Sequence, residues 1–243
     1  MVKIDISGKD YDMPNEWQDI TMRQLLDSQK LLKEMPDKMR QLTFPEKKKA
    51  TPKITDNDEI DFWDFYRKWV VFWTDISDET SKKIQMDGLK IAYEVLQVFM
   101  FTPTDIDYKE HIQFKGVAYI LPPTKELISG QAKYMANSTF EEFVEGMQIT
   151  AMLNKLKNED LTALPLLTAT FYREQVTYGM WYQKKRTKII PYDEDGTKKR
   201  AEIFMELPMS DVWGAYFFLI IHLKKSLSGL QTSLPEKVQE MLN

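Results

Sequence analysis

The chain has 243 residues, 43% of them hydrophobic, enough to bury a substantial core in one large domain or two small ones. Its 33 Lys and Arg stand against 37 Asp and Glu for a net charge of −4, which argues against the dense cationic surface of a non-specific nucleic-acid binder. The lack of cysteine excludes disulfides, thiolate metal sites and a cysteine nucleophile, and two histidines far apart in sequence, His111 and His222, leave little from which to build a zinc or iron site.

Residues 1–10 alternate apolar and polar, without the charged start, apolar run and cleavage site of a secretory signal. They read instead as a β-hairpin. Val2, Ile4 and Ile6 alternate with Lys3 and Asp5, Ser7-Gly8-Lys9 supplies the turn, and Tyr11 and Met13 alternate on the return before Pro14 stops the strand. Thr21 to Gln24 then forms a capping box, in which hydroxyl and amide side chains satisfy orphan backbone amides at a helix start. Leu25, Leu26, Gln29 and Leu32 continue at helical spacing, and Pro36 ends the helix.

Residues 41–107 are helical in pattern. Lys47, Lys48, Lys49 and Lys53 precede the acidic block Asp56, Asp58, Glu59 and Asp61, opposite charges that suit pairing between copies. Over residues 60–74, Trp63, Tyr66, Val70 and Trp73 make one stripe and Phe62, Phe65, Trp69 and Phe72 a second. Such a helix has too much apolar circumference to face water and must be covered on two sides, within its domain or by a partner. A following helix over 81–101 is expected to turn Ile84, Ile91, Val95, Val98 and Phe99 inward.

The hairpin design recurs. Residues 111–122 align without a gap on residues 3–14, matching Ile4 with Ile112, Gly8 with Gly116, Tyr11 with Tyr119 and Pro14 with Pro122. A second capping box, Thr139 to Glu142, opens a helix carrying Phe140, Phe143, Val144, Met147 and Ala151 on one face. Duplication explains this order, and so does the general frequency of hairpins with Gly turns and Pro stops.

The third block begins with a buried helix over 164–172, with Pro165 in its first turn, where a missing amide costs little. Residues 184–200 read as a long excursion, a β-arm or a loop, turning at Asp193 to Gly196. Helix resumes over 201–207, Pro208 breaks it, Ser210 can cap the next, and Gly229 ends the most apolar helix of the chain. Its apolar run, residues 213–221, is nine residues long against about 20 needed to span a bilayer, so no membrane association is expected. The expected fold is α+β and predominantly α-helical: hairpin-helix units over 1–40 and 108–158, a helical segment over 41–107, and a helical block over 159–243 bearing a basic arm over 181–200, all within one compact domain.

Signatures of chemistry are sparse. The sequence has no Gly-x-x-x-x-Gly-Lys-Ser/Thr, no Gly-x-Gly-x-x-Gly and no Gly-x-Ser-x-Gly. His222, beside Lys224 and Lys225, reads as the polar end of a helix, and His111 as the start of a strand. The carboxylate pairs Glu141/Glu145 and Asp61/Asp64 would do acid-base work only if burial or a shared proton split their pKa values. No catalytic residue, cofactor or metal site is expected. Candidate binding residues fall into two groups. One is the basic arm, where Lys184, Lys185, Arg186, Lys188, Lys198, Lys199 and Arg200 are interleaved with Trp181, Tyr182 and Tyr192, a mixture that fits an acidic neighbour or nucleic acid. The other is a set of large apolar side chains available for an interface: Trp63, Trp69, Trp73, Trp213 and Phe217.

The run Leu164-Pro165-Leu166-Leu167 through Phe171-Tyr172-Arg173, then Arg200-Ala201-Glu202-Ile203-Phe204, Leu207-Pro208-Met209 and Phe217-Phe218, resembles structural and assembly proteins of tailed bacteriophages, most of all those of crAss-like phages of gut Bacteroidetes. Gly8-Lys9-Asp10-Tyr11 through Trp17-Gln18-Asp19-Ile20-Thr21 is similar to the start of many phage tail-assembly and neck proteins. The resemblance implies a non-enzymatic virion protein, made in the bacterial cytoplasm, that forms an oligomeric ring in the neck or tail and adjoins other neck and tail proteins. A lumen position would bring the arm against DNA. The alternative it implies is a cytoplasmic tail-assembly chaperone, absent from the mature virion, with a groove lined by Trp63, Trp69 and Trp73.

Overall fold

The computed structural model describes residues 1–6, 9–45, 50–104, 106–121, 161–178, 186–190 and 193–218. The fold is α+β, helices accompanied by two small antiparallel sheets. Two compact units make up the chain, Met1–Pro103 and Thr104–Asn243, and their boundary falls inside the stretch 41–107 that sequence patterning groups as one helical segment.

In the first unit, β1 (Val2–Ile6) pairs antiparallel with β2 (Lys9–Met13), Ile4 opposite Tyr11 and Val2 opposite Met13. This puts the apolar residues of both strands on one face. Tyr11 and Met13 are buried, while Val2 on the outer strand is exposed. Helix α1 (Met22–Leu32) starts at the anticipated box: Gln24 N donates to Thr21 Oγ1 at 3.3 Å and Thr21 N to Gln24 Oε1 at 2.8 Å. After Pro36 a short helix α2 (Asp37–Thr43) follows, which the sequence reading does not anticipate.

Helix α3 (Asp56–Trp73) begins at Thr55, whose amide donates to Asp58 Oδ2 at 2.8 Å. The acidic block therefore has a local explanation: Asp56, Asp58 and Glu59 form the first turn, where carboxylates complement the positive end of the helix dipole. Phe62, Phe65, Trp69, Val70 and Trp73 are buried. Trp69 donates from Nε1 to Leu96 O at 3.2 Å, and Trp73 lies 4.9 Å from the ring of Phe99, which also meets Trp17 edge-on at 5.2 Å. After the single turn α4 (Asp78–Ser81), helix α5 (Met86–Leu96) runs into a 3-10 turn at Gln97–Met100.

The inward face of α5 differs from the expected one. Leu89, Ala92, Tyr93 and Leu96 are buried, together with Phe99 and Met100, while Ile91, Val95 and Val98 are exposed and Ile84 is half-buried. The aromatic face of α3 selects this orientation: Tyr93 packs 4.0 Å from Tyr66, and the carbonyl of Leu96 takes the Trp69 proton.

In the second unit, β3 (His111–Phe114) and β4 (Val117–Ile120) repeat the first hairpin's register, with Ile112 opposite Tyr119 as Ile4 is opposite Tyr11. Their two-residue turn holds Lys115 and Gly116 at φ 49° and 80°, the positive values of a type I′ hairpin turn, which glycine adopts without strain. Here the sheet grows to four strands in the order β3-β4-β5-β6, adding β5 (Arg173–Tyr178) and β6 (Arg186–Ile189). The capping box at Thr139 and the helix expected behind it lie outside the described residues.

Helix α6 (Leu164–Phe171) carries Pro165 in its first turn, as anticipated. Helix α7 (Glu194–Phe204) is a correction: Asp193 to Gly196 is not the turn of an arm but a helix start, with Gly196 N donating to the capping Asp193 Oδ2 at 2.6 Å. Residues 209–218 form the last described helix, α8. Gly214 on it allows close approach, since a Cβ there would sit 3.1 Å from the Tyr108 Cα. Tyr172, fully buried, donates its hydroxyl to Lys109 O at 2.9 Å, and Lys109 Nζ lies 2.7 Å from Asp211 Oδ1, so three distant segments meet at one lysine.

Candidate protein-binding surface

The anticipated apolar interface residues are mostly inside. Trp69, Trp73 and Trp213 are buried in their own units, at 0%, 5% and 2% exposure, while Trp63 and Phe217 are half-buried. A groove lined by Trp63, Trp69 and Trp73 is not formed. The core of the first unit uses these rings, because α5 and the 3-10 turn behind it bring Leu96 and Phe99 against them.

The basic arm is also redistributed. Arg186 and Lys188 project from β6 beside Tyr178 and Val176, their cross-strand partners, on one exposed face of the β5-β6 ribbon. Lys198 and Lys199 are exposed on α7, Lys198 within 2.7 Å of Glu194. Arg200 is only 7% exposed and serves the fold: Nε donates to Ala169 O at 3.2 Å and Nη2 to Thr197 Oγ1 at 2.8 Å. Ala169 O is one of the last carbonyls of α6, which lack intrahelical donors, and Arg173 Nε donates to Thr170 O beside it at 3.0 Å. Two guanidinium groups thus close the negative end of a helix. Burial and the charge of Arg173 lower the pKa of Arg200 from its ordinary value. Trp181, Tyr182, Lys184, Lys185 and Tyr192 lie outside the described residues, as do Lys47, Lys48, Lys49 and His222.

Of the candidate acid-base pairs, Glu141/Glu145 lies outside the described residues. Asp64 is held in its charged form by Lys68, at 3.0 Å, and by Arg67, at 2.9 Å, which lower its pKa. Arg67 also bonds Asp78, which Lys82 holds at 2.8 Å. An aspartate neutralised by two cations does not share a proton with Asp61. His111 is exposed at the start of β3.

Among the described residues, an open cleft lies in the first unit. An open-sided cleft of about 510 Å³ is lined by Ile4 and Asp5 of β1, Met13 of β2, Val70 of α3 and the segment from Lys83 to Ala92 that leads into α5. Its walls are aliphatic at Ile4, Met13, Val70, Ile84, Ile91 and Ala92, with Asp5, Lys83 and Gln85 as the polar groups. Val95 on α5 and Val98 in the 3-10 turn after it are also exposed. Apolar residues gathered in a cleft offer room for an apolar side chain of another molecule, which single exposed aliphatics do not. Its residues come from four elements, so only the spacing of Ile84, Ile91, Val95 and Val98 was visible along the sequence.

Among the described residues there is no group of three or more His, Asp or Glu side chains that could hold a metal ion, and no helix long and apolar enough to cross a membrane. Comparison of the chain with protein-family models, curated proteins and solved structures finds no match.

Proposed function

We propose that the chain is a non-enzymatic structural protein of a tailed bacteriophage, a subunit of an oligomeric ring in the neck or tail that works by binding other protein chains. The observation that carries the binding role is the aliphatic cleft between the N-terminal hairpin and α5, with Ile91 in its wall and Val95 exposed one turn on. Apolar walls with few polar groups suit side chains of a protein partner better than a reacting substrate. The phage setting rests on the resemblance of the two hairpin units and the third block. Mass spectrometry of purified particles of the encoding phage tests it: the protein is expected in mature virions at a stoichiometry set by ring symmetry.

One feature favours the second reading, a tail-assembly chaperone. The cleft is sized for one short segment, whereas a stable subunit interface buries about 800 Å² on each partner. Absence from mature particles, with recovery bound to a tail protein in infected cells, would replace the ring reading by this one.

A further inference from the structure

The two hairpins match in sequence and register but differ in what lies beside them. In the second unit β4 is paired on both sides, with β3 and with β5, where Tyr119 stands opposite Glu174 and Ile120 opposite Arg173. In the first unit, among the described residues, β2 is paired with β1 alone. The gapless match makes Asp10 and Asp12 the counterparts of Ala118 and Ile120. Ile6 and Lys9 flank the turn, so the backbone groups of Ile6/Lys9, Ile4/Tyr11 and Val2/Met13 bond within the hairpin, and alternation turns those of Asp10 and Asp12 away from β1. Both aspartates are exposed.

We propose that the free edge of β2 takes up an extended, basic segment of another protein as a third, antiparallel strand, in the place that β5 holds beside β4. Two observations carry the assignment. The first is the repeat: the same hairpin, in the same register, already holds such a strand in the second unit, and the residue opposite Ile120, the counterpart of Asp12, is an arginine. The second is charge. Lys3, Asp5, Asp10 and Asp12 share the face turned away from the buried Tyr11 and Met13, three carboxylates against one ammonium, with Asp5 directly opposite Asp10. Lys9 does not neutralise them, since its ammonium lies 4.9 Å from the centre of the Tyr11 ring, on the other face.

Antiparallel pairing defines the partner. Residues opposite Asp10 and Asp12 exchange backbone bonds with them and set their own side chains beside the two carboxylates, so the incoming strand carries Lys or Arg at alternate positions. The residue between them falls opposite Tyr11, where a β-branched or aromatic side chain packs best. Main-chain bonds supply the affinity and the charges select the strand. The same acids turn away a second copy of β2, because two such edges side by side would bring aspartates against aspartates. Neither Asp10 nor Asp12 belongs to the wall of the cleft, so this edge is a separate contact surface, and it does not depend on the phage assignment.

Titration of the full chain with a capped heptapeptide alternating lysine and valine, at low salt and up to about 1 mM, tests the inference. Fluorescence anisotropy of the labelled peptide should show saturable binding, and amide hydrogen exchange read by NMR should slow at Asp10 and Asp12. The same peptide N-methylated at its lysines keeps every charge but loses the donors that face β2, and it should not bind. A peptide with glutamate in place of lysine should not bind either. The double variant Asp10→Lys/Asp12→Lys should weaken the lysine peptide about 10-fold or more and take up the glutamate peptide instead, a swap of preference that loss of folding cannot imitate. Its circular dichroism and thermal midpoint should stay unchanged, because both side chains are exposed. No binding of the lysine peptide to the wild type overturns the proposal. So does equal binding of the N-methylated peptide, or slowed exchange at Lys3 and Asp5 of β1 in place of Asp10 and Asp12.

Discussion

Trp69 separates the two uses that an aromatic-rich helix can have. It is fully buried, donates to Leu96 O at 3.2 Å, and lies 6.0 Å from the ring of Phe65 and 5.7 Å from that of Trp73. Truncation by Trp69→Ala leaves a cavity in the aromatic core of the first unit, a change that costs about 3–5 kcal/mol. Loss of the indole donor adds about 1 kcal/mol. A loss of about 4 kcal/mol moves the unfolding equilibrium roughly a thousandfold. With an m-value of roughly 1–2 kcal/mol/M, the urea midpoint of this unit should fall by about 2–4 M. Trp69→Phe keeps most of the ring volume and should fall by about 1–2 kcal/mol. Urea titration followed by far-UV circular dichroism at low micromolar concentration is the assay. An unchanged midpoint, with a change only in oligomer mass, would refute the assignment of Trp69 to the core and restore it to an interface.

Arg200→Met removes both bonds of the buried guanidinium and leaves Ala169 O without that donor; a loss of about 2–3 kcal/mol is expected in thermal unfolding, against less than about 0.5 for Lys199→Ala, and equal effects would contradict the helix-closing role. Asp58 accepts from Thr55 and from Lys38 Nζ at 2.7 Å, bonds that hold its pKa at about 2. Its folded value lies below the ordinary one near 3.8, so its contribution is fully present above about pH 4 and is lost as pH falls through about 2. The stability difference between the wild type and Asp58→Asn should therefore shrink over that window, and a difference that stays constant from pH 5 to 2 would show that Asp58 carries no such linkage.

Elements set by local rules were legible in the sequence. Period-two alternation around Gly8 and Gly116 marked both hairpins, and the gapless match of residues 111–122 to 3–14 carries through to a shared register at Ile4/Tyr11 and Ile112/Tyr119. The Thr21 box and Pro165 marked two helix starts. Choices made by tertiary contact were not legible. Helix α5 offers two stripes of similar spacing, and only the rings of Tyr66 and Trp69 settle which turns inward. Asp193 to Gly196 has turn composition, yet the same acids cap a helix and complement its dipole, which hid α7 and made Arg200 look like part of a solvated charge run. The cleft is assembled from Ile4, Met13, Val70 and Ile91, too far apart in sequence for any local pattern to join them.

The meeting of Tyr172, Lys109 and Asp211 bears on the order in which the protein can be completed during translation. In the first unit, Trp69 finds Leu96 only 27 positions away. The main chain at Lys109 waits 63 positions for the Tyr172 hydroxyl, and its ammonium 102 positions for Asp211. A growing polypeptide can therefore finish its N-terminal half while the later half is still missing its keystone, and interruption of synthesis before Asp211 would release a product with one mature half and one unfinished half.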